Sequence, residues 1–327
     1  MASASTLETM SPELSKVVER ARSEPEGRLR ALAHLIDAPA LARAYRRMRK
    51  DAAVGVDGVT KEQYGQNLEG NLQGLHARLV SNKYRHQAIR RVHIPKAPGK
   101  TRPIGISAFE DKLVQDAVRE VLQAVYEQDF MECSYGFRPR RSAHDAVRTL
   151  DRIVHRGEVR WILEADIKSF FDSVDRKALS EMLQTRVADG SLLRLIGKCL
   201  HVGVLDGTEF SEPDTGTVQG SVLSPLLGNV YLHYVLDLWF EREVKPRLRG
   251  KATLIRYADD CAPRRRGEEA VMGCFVGSVA ESVESASVAR CRVRARGLER
   301  VVALAVESLV QQRRSPAGLF ASHFAQV

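Results

Sequence analysis

Two adjacent aspartates, Asp259 and Asp260, end the short apolar stretch that begins at Leu254. An apolar, β-branched run that stops at acids is typical of a strand that delivers carboxylates to a tight turn. Adjacent like charges repel each other, so a fold that holds them together normally supplies a cation. Mg²⁺ suits that role because it takes oxygen ligands and leaves positions for phosphate oxygens. The alternative is a solvated turn with no ligand.

A second strand of this kind lies upstream, where Ile162 and Leu163 lead to Asp166 and Ile167. Acids this far apart along the chain can share an ion only if their two strands meet in one sheet. The presence of two acidic strand ends therefore favours a divalent-metal site over a solvated turn.

Cations are concentrated in the stretch Arg90–Ile106, where two β-like runs flank Pro98 and Gly99. This pattern predicts a basic β-hairpin. Lysine supplies a point charge and arginine a bidentate fork, so such a hairpin can hold a triphosphate. An exposed basic hairpin with no ligand is the alternative, and the residues alone leave both open.

Aromatic and amide side chains occupy three further segments. The loop Ser134–Ser142 mixes aromatics with arginines, so it either contacts bases and phosphates or is a turn anchored in the core by Tyr135 and Phe137. Phe170 follows the first acidic strand and either packs in the core or lines a sugar pocket. In the glycine-bounded loop around Gln219, the missing Cβ atoms let a base pair come close.

The composition is that of a basic globular protein, with 327 residues, 44% of them hydrophobic, and a formal net charge of +9. This charge favours a polyanionic partner, with nucleic acid first. Five cysteines without a CxxC pair argue against a disulfide framework or a zinc site. No run of 18 apolar residues and no signal pattern occur, so we expect no membrane association and a cytoplasmic location.

The spacing of apolar residues predicts several helices. They cover most of residues 12–50, one helix capped by Thr60 and running through Leu75, residues 109–130, residues 142–155 and residues 226–240. The N-terminal helices also carry many arginines, including Arg43 and Arg47. That face is either solvated or a surface for a phosphate backbone.

In their order, these segments resemble the reverse transcriptase/maturase encoded by bacterial group II introns. The resemblance is carried by the hairpin Ile94–Ile106, Tyr135-Gly136-Phe137-Arg138-Pro139, Asp166–Asp172, Gln219-Gly220 with Ser224–Leu227, and Tyr257–Asp260. It implies an α+β fold with the fingers and palm of a right-hand polymerase and an antiparallel palm sheet packed with helices. The family also has a thumb, which we expect to be absent here because the sequence after Asp260 departs from the family pattern.

The resemblance and the departure after Asp260 together predict three regions. Residues 1–76 form an N-terminal helical extension and the start of the fingers, residues 77–260 form fingers and palm, and residues 261–327 form a divergent tail.

The function implied by the resemblance is RNA-directed DNA polymerisation, which adds dNTPs to a DNA primer on an RNA template such as the intron RNA. Its catalytic residues are Asp166, Asp259 and Asp260, and these three with Ile167 are the expected ligands of two Mg²⁺ ions. The expected substrate contacts are Lys96 and Arg102 for the triphosphate, Phe170 for the sugar and Gln219 for the nascent base pair. The alternative is a non-catalytic, RNA-binding maturase remnant that assists splicing.

Two positions depart from the family pattern. Val218 replaces the proline that usually precedes the Gln-Gly pair. After Asp260 the family continues with an apolar return strand, whereas this chain has Pro263 and Arg264–Arg266. Proline removes a ladder donor and arginines resist burial, so we do not expect the hairpin to close as usual.

The segment from Cys261 to Val327 contains ten arginines and no Lys, Asp, Asn, Ile, Thr, Tyr or Trp. This bias predicts a frameshift in a GC-rich gene, with out-of-frame translation after codon 260 and a truncated copy of the enzyme, either active or inactive. A genuine arginine-rich extension is the alternative. The nucleotide sequence decides between the two, because a frameshift requires a family-like continuation in another frame just after codon 260.

Overall fold

The computed structural model describes residues 11–97, 100–155, 161–164, 167, 170–211, 215–217, 219–248, 252–258 and 274–277. The chain divides into two compact units. The first comprises Met1–Phe130 and Phe171–Val230, and the second comprises Met131–Phe170 and Tyr231–Val327. Within the described ranges, helices predominate and each unit contains one small sheet. This combination of helices with mainly antiparallel sheets agrees with the predicted α+β class.

Numbered along the chain, the helices are α1 (Pro12–Ser23), α2 (Ala38–Arg47), α3 (Lys61–Gly65), α4 (Leu68–Val80), α5 (Phe109–Tyr126), α6 (Ala143–His155), α7 (Phe170–Ser173), α8 (Arg176–Arg186), α9 (Gly190–Leu200) and α10 (Ser224–Leu232). The strands are β1 (Ile89–Ala97), β2 (Lys100–Ile106), β3 (Trp161–Glu164), β4 (Val204–Asp206), β5 (Glu209–Ser211), β6 (Ala252–Ile255) and β7 (Cys274–Gly277).

Side-chain caps explain where several of these helices begin. Thr60 and Gln63 form a reciprocal capping box at the start of α3, which confirms that a helix begins after Thr60. The single helix predicted to run through Leu75 is instead two helices, with α3 ending at Gly65 and α4 beginning at Leu68. Asp37, Asp175 and Asp189 accept backbone N–H groups in the first turns of α2, α8 and α9. Each such cap contributes about 1 kcal/mol to helix stability.

Helix α5 is the centre of the first unit, and the amphipathic pattern predicted for residues 109–130 is confirmed. Leu113, Val114 and Val118 are fully buried, and each contributes about 1.5–3 kcal/mol by leaving water. The buried polar residues of α5 have partners. Asp111 accepts from the hydroxyl of Tyr84 at 2.6 Å and from the backbone N–H of Gln87 at 3.0 Å.

Two of the three arginines of α2, Arg43 and Arg47, are neither simply solvated nor free to hold a phosphate backbone, whereas Arg46 is exposed. Arg43 binds Glu120 of α5 at 2.9 Å, and Arg47 contacts Asp116 at 2.6 Å and Glu120 at 3.2 Å. Both guanidinium groups are largely buried between the two helices. For these two residues both sequence-based alternatives were wrong, because the acids of α5 could not be paired with α2 from periodicity alone.

The sheet of the first unit has the order β2-β1-β4-β5. β1 and β2 are antiparallel, which confirms the basic β-hairpin, while Pro98 and Gly99 lie outside the described residues. β1 pairs in parallel with β4 through Ile89 and Val204. These two residues and Val202 form a small apolar cluster beneath the hairpin.

The second unit contains α6 and a three-stranded sheet with the order β3-β7-β6. Phe240, Ala252 and Leu254 form its described core, packed against half-buried Cys133 and Trp239. The predicted helix at 226–240 is α10 followed by two π-helical segments, His233–Asp237 and Phe240–Val244. None of the described helices is both long enough and apolar enough to cross a bilayer.

The hairpin after Asp260 is not expected to close as usual, yet β6 does have a return strand. β7, from the segment after Asp260, pairs antiparallel with β6 along Ala252–Ile255. The return strand is the apolar stretch Cys274–Gly277, which follows Pro263 and Arg264–Arg266 rather than including them. The loss of a ladder donor and the cost of burying arginine therefore do not apply to the paired residues.

Candidate active site

The two strands that precede the candidate acids lie in one sheet. β3 and β6 both pair antiparallel with β7, which lies between them, so β3 and β6 run parallel to each other. Glu164 of β3 and Ile255 of β6 both pair with Cys274, so the two strands end at the same level. Two strand spacings, about 9–10 Å, separate these ends.

The acids themselves follow these strand ends in the sequence. Asp166, Asp259 and Asp260 lie outside the described residues, whereas Ile167 is described and half-buried. Carboxylate oxygens are preferred Mg²⁺ ligands, and Ile167 can offer only its backbone carbonyl. The donor types therefore fit Mg²⁺. Among the described residues, no group of three His, Cys, Asp or Glu side chains is arranged to hold a metal ion.

Arg256, the residue after β6, holds this strand end in place. Its side chain is buried and bound to Asp237 by two hydrogen bonds, from Nε at 2.8 Å and from Nη2 at 2.7 Å. Nη2 also donates to the hydroxyl of Ser134 at 2.8 Å. The backbone N–H of Arg256 donates to Cys133 O at 2.7 Å, and its carbonyl accepts from Tyr135 N at 2.8 Å.

The buried ion pair was missed by sequence reasoning, although one signal was available. Arg256 is a charged residue at the end of an apolar strand, and a guanidinium in that position needs a buried acid. Its partner Asp237 ends a π-helical segment, and such segments occur frequently at functional sites.

His233, at the start of the same π-helical segment, is buried beside this ion pair. Burial lowers the pKa of His233 to about 4. The negative charge of Asp237 opposes this decrease, and the positive charge of Arg256 adds to it. The imidazole is therefore neutral at pH 7 and adds no positive charge to the site.

The strand end is also packed tightly against the loop Ser134–Ser142. A Cβ on Gly136 would overlap the backbone nitrogen of Ala258, so only glycine allows the two chain segments to come this close. Ala258 itself has a φ of +54°, a left-handed conformation that residues with a Cβ rarely adopt. The residue directly before Asp259 therefore has a strained backbone that its neighbours hold in place.

The sequence left two alternatives for this loop, a contact with bases and phosphates or a turn anchored in the core by Tyr135 and Phe137. The anchored turn is right for Tyr135 and wrong for Phe137. Tyr135 is half-buried and its hydroxyl donates to Thr149 Oγ1 at 3.0 Å. The Phe137 side chain is 56% exposed.

In the first unit, Gln219 and Gly220 lie against the basic hairpin. The N–H of Gly105 in β2 donates to the carbonyl of Gln219 at 2.6 Å. Gly220 has a φ of +100°, and a Cβ there would lie 2.5 Å from the Gly105 carbonyl oxygen. This glycine therefore allows the close approach of β2, a reason that sequence reasoning did not identify.

Buried polar side chains also hold the glycine loop around Gln219 in place. Gln115 of α5 accepts from the Ser221 hydroxyl at 3.1 Å and from Val222 N at 3.2 Å. Buried Arg176 donates from Nε to the Gly216 carbonyl at 2.8 Å. Neither residue was identified from the sequence, because a long-range contact leaves no local pattern.

The other predicted substrate contacts are at separate positions. Lys96 lies at a register shift in β1, between Pro95 and Ala97. Arg102 is half-buried in β2 and pairs in register with Ile94. Phe170, in the second unit, is buried with its ring 6.1 Å from that of Tyr231, a packing that the core alternative explains. Its role at the sugar remains a prediction.

Comparison with known proteins identifies the class. Residues 94–286 match the family described as "Reverse transcriptase (RNA-dependent DNA polymerase)", which is more than half of the chain. The chain therefore belongs to the reverse transcriptase family. Within it, two of the relatives described next carry names that place them in introns, and these two confirm the resemblance to the group II intron reverse transcriptase/maturases.

Protein YkfC of Escherichia coli is 36% identical over 241 residues, covering 72% of this chain and 63% of that protein. Group II intron-encoded protein LtrA of Lactococcus lactis is 36% identical over 212 residues, covering 63% of this chain and 35% of that protein. A 91 kDa protein in the cob intron of Schizosaccharomyces pombe is 40% identical over 163 residues, covering 50% of this chain and 20% of that protein.

The chain thus spans less than two thirds of the length of each of these relatives. The family match also continues past Asp260 to residue 286. The compositional boundary at Cys261 is therefore not a boundary of the match, and β7 lies inside it.

Proposed function

We propose that this chain is an RNA-directed DNA polymerase of a group II intron, which adds dNTPs to a primer 3′-hydroxyl along an RNA template. The observation that supports this most strongly is the sheet β3-β7-β6. It holds two parallel strands whose ends lie at the same level, and each strand is followed within a few residues by candidate acids.

In this proposal Asp166, Asp259 and Asp260 hold two Mg²⁺ ions, with the backbone carbonyl of Ile167 as a further ligand. The bound ions would help the primer 3′-hydroxyl attack the α-phosphate and would stabilise the leaving pyrophosphate. The Arg256–Asp237 pair fixes the strand end that precedes two of these acids.

The nucleotide is bound by residues of the basic hairpin and by the glycine loop. Lys96 and Arg102 are the proposed contacts of the triphosphate, and Gln219 is the proposed contact of the nascent base pair. The hydrogen bond from Gly105 to Gln219 supports this arrangement, because it ties the loop to the strand that carries Arg102. Phe170 is the proposed contact of the sugar.

The hairpin belongs to the fingers in this proposal, and the three-stranded sheet belongs to the palm. Intron RNA, a DNA primer and dNTPs are the proposed partners, and the net charge of +9 is consistent with two of them being nucleic acids. The absence of a thumb and the frameshift in the tail remain predictions.

A primer-extension assay tests the proposal. Purified protein is incubated with Mg²⁺, an RNA template, a labelled DNA primer and dNTPs, and the products are separated by length. We expect extension by the wild type and none by Asp259→Asn/Asp260→Asn. Asp151→Asn, which alters an exposed aspartate of α6, is the control and should extend normally.

Two results would contradict the proposal. Undiminished extension by the double variant would exclude the two acids as metal ligands. An inactive wild type that still promotes intron splicing would favour the alternative, an RNA-binding maturase remnant.

A further inference from the structure

Phe137 combines an exposed aromatic ring with a strained backbone. Its φ is +56°, a left-handed conformation in which a bulky side chain is an outlier. Its side chain is 56% exposed, so burial of the ring does not compensate for this strain. Glycine would adopt the same backbone without strain, so stability alone does not explain a phenylalanine here. Strained residues of this kind cluster at functional sites.

The loop around Phe137 is rigid. Buried Arg138 donates from Nη1 to Met131 O at 2.7 Å and to Ser134 O at 2.9 Å. Arg141 donates to Glu132 O at 2.9 Å and lies over the Tyr135 ring, 5.3 Å from its centroid. The ring of Phe137 is therefore presented to solvent from a fixed frame, which lowers the entropic cost of binding.

A cation accompanies the ring. Arg140 is exposed and also has a left-handed backbone, with a φ of +59°. Aromatic faces that accept a base, together with arginines that contact the backbone phosphates, are the usual elements of a surface for single-stranded nucleic acid.

The position of the loop connects this surface to the candidate active site. Gly136, the neighbour of Phe137, packs directly against Ala258, and Tyr135 N–H donates to the carbonyl of Arg256. A strand that stacks on Phe137 therefore lies beside the chain segment that leads into Asp259 and Asp260.

We propose that Phe137 is a stacking platform for an unpaired base of the RNA template and that Arg140 contacts a neighbouring phosphate. The identity of the strand as template rests on the proposed function. The contact itself can be measured by RNA binding, without metal or dNTPs.

The test measures the Kd of a fluorescein-labelled single-stranded RNA of mixed sequence by anisotropy, with the full chain and no Mg²⁺. Phe137→Ala should weaken binding about tenfold, the size of one lost base–aromatic stack. Phe137→Trp should bind as well as the wild type, whereas Phe137→Leu should bind as poorly as Phe137→Ala, because leucine is apolar but does not stack.

The chain offers a matched control. Phe210 in β5 is 59% exposed, close to the exposure of Phe137, but it lies in a strand of the first unit, whereas Phe137 lies in a loop of the second. Phe210→Ala should leave the Kd unchanged. Arg140→Gln should lower the slope of log Kd against log salt by about one unit, as expected for one lost phosphate contact.

Phe137→Gly separates a binding role from a structural one. Glycine relieves the strain at a φ of +56°, so the midpoint of thermal unfolding should rise while RNA affinity falls. A residue that only supports the fold would move stability and affinity in the same direction.

Unchanged RNA affinity in both Phe137→Ala and Phe137→Gly would overturn the inference, as would an equal loss in Phe210→Ala. Failure of the proposed function gives a different result, namely an inactive wild type whose RNA binding still depends on Phe137. If the wild type does not bind the RNA at all, both the inference and the proposed function are wrong.

Discussion

Arg256 is the residue on which the end of β6 most depends. Its guanidinium is 2% exposed and bound to Asp237 and Ser134, both of which are fully buried. A buried ion pair adds little net stability compared with apolar residues of similar volume, but an isolated buried charge is strongly destabilising. The pair therefore acts mainly to hold the strand end against the neighbouring loop.

We predict that replacing either Arg256 or Asp237 alone lowers the free energy of unfolding far more than replacing both together. Arg256→Met and Asp237→Leu should each lower the free energy of unfolding by about 3–5 kcal/mol, because each leaves a buried charge unpaired. The double variant should be more stable than either single variant. Urea unfolding followed by circular dichroism measures all three.

Arg30→Met is the matched control, because Arg30 is exposed in the first unit and its loss should change stability by less than about 0.5 kcal/mol. If the two single effects simply add in the double variant, the pair has no coupling and this account is wrong.

The loop that carries Gln219 shows how one element constrains another. Its glycine, Gly220, has a positive φ and lies against the backbone of β2, while Gln115 holds the residues that follow. The loop, the hairpin and α5 are therefore fixed together in the first unit. A substitution at the point of closest approach must move one of them.

Two glycine variants test this point. Gly220→Ala should destabilise the protein by about 1–3 kcal/mol, because the new methyl overlaps the Gly105 carbonyl and the φ is unfavourable. Gly74→Ala, in α4 with open space around the site, should stabilise the protein by about 0.5–1 kcal/mol. Thermal unfolding followed by circular dichroism ranks the two variants. A Gly220→Ala protein as stable as the Gly74→Ala protein would show that the close approach is not required.

Much of the element content could be predicted from local signals. Alternating cations around a Pro/Gly turn gave the hairpin, and Thr60 as a cap gave the start of α3. The π-helical continuation of α10 could not be predicted, because apolar spacing does not separate an α-helix from short π-helical turns. β7 was missed since four residues carry little pattern and their pairing is decided by strands far away in the chain.

The residues of the candidate site could be predicted from the sequence, but the residues that hold them in position could not. The acids, the hairpin cations and Gln219 were visible as motifs. Their supporting residues, Arg256 with Asp237 and Gln115 with Ser221, come from segments far apart in sequence. No periodicity or spacing rule connects such pairs.

At the scale of the whole molecule, the composition of the segment after Asp260 and its place in the fold point in opposite directions. Its composition predicts out-of-frame translation, yet β7 within it occupies the middle of the sheet in the second unit. Both tryptophans, Trp161 and Trp239, are in that unit, so their fluorescence reports on it selectively.

Two truncations test whether the fold depends on this segment. A chain that ends after Asp260 lacks β7 and should lose the cooperative fluorescence transition of the second unit on heating, because β3 and β6 then have no strand between them. A chain that ends after Gly277 keeps β7 and should retain the transition. If both chains unfold like the full protein, β7 is dispensable, and the tail can be treated as an addition to the fold.

The central position of β7 also dictates an order of assembly during synthesis. β3 and β6 emerge from the ribosome before the strand that joins them, and at usual elongation rates the delay after β3 is on the order of ten seconds. During that time both outer strands have unpaired edges that other chains can join. The nascent second unit is therefore most vulnerable to aggregation before its last strand is translated, and chaperone protection matters most in that interval.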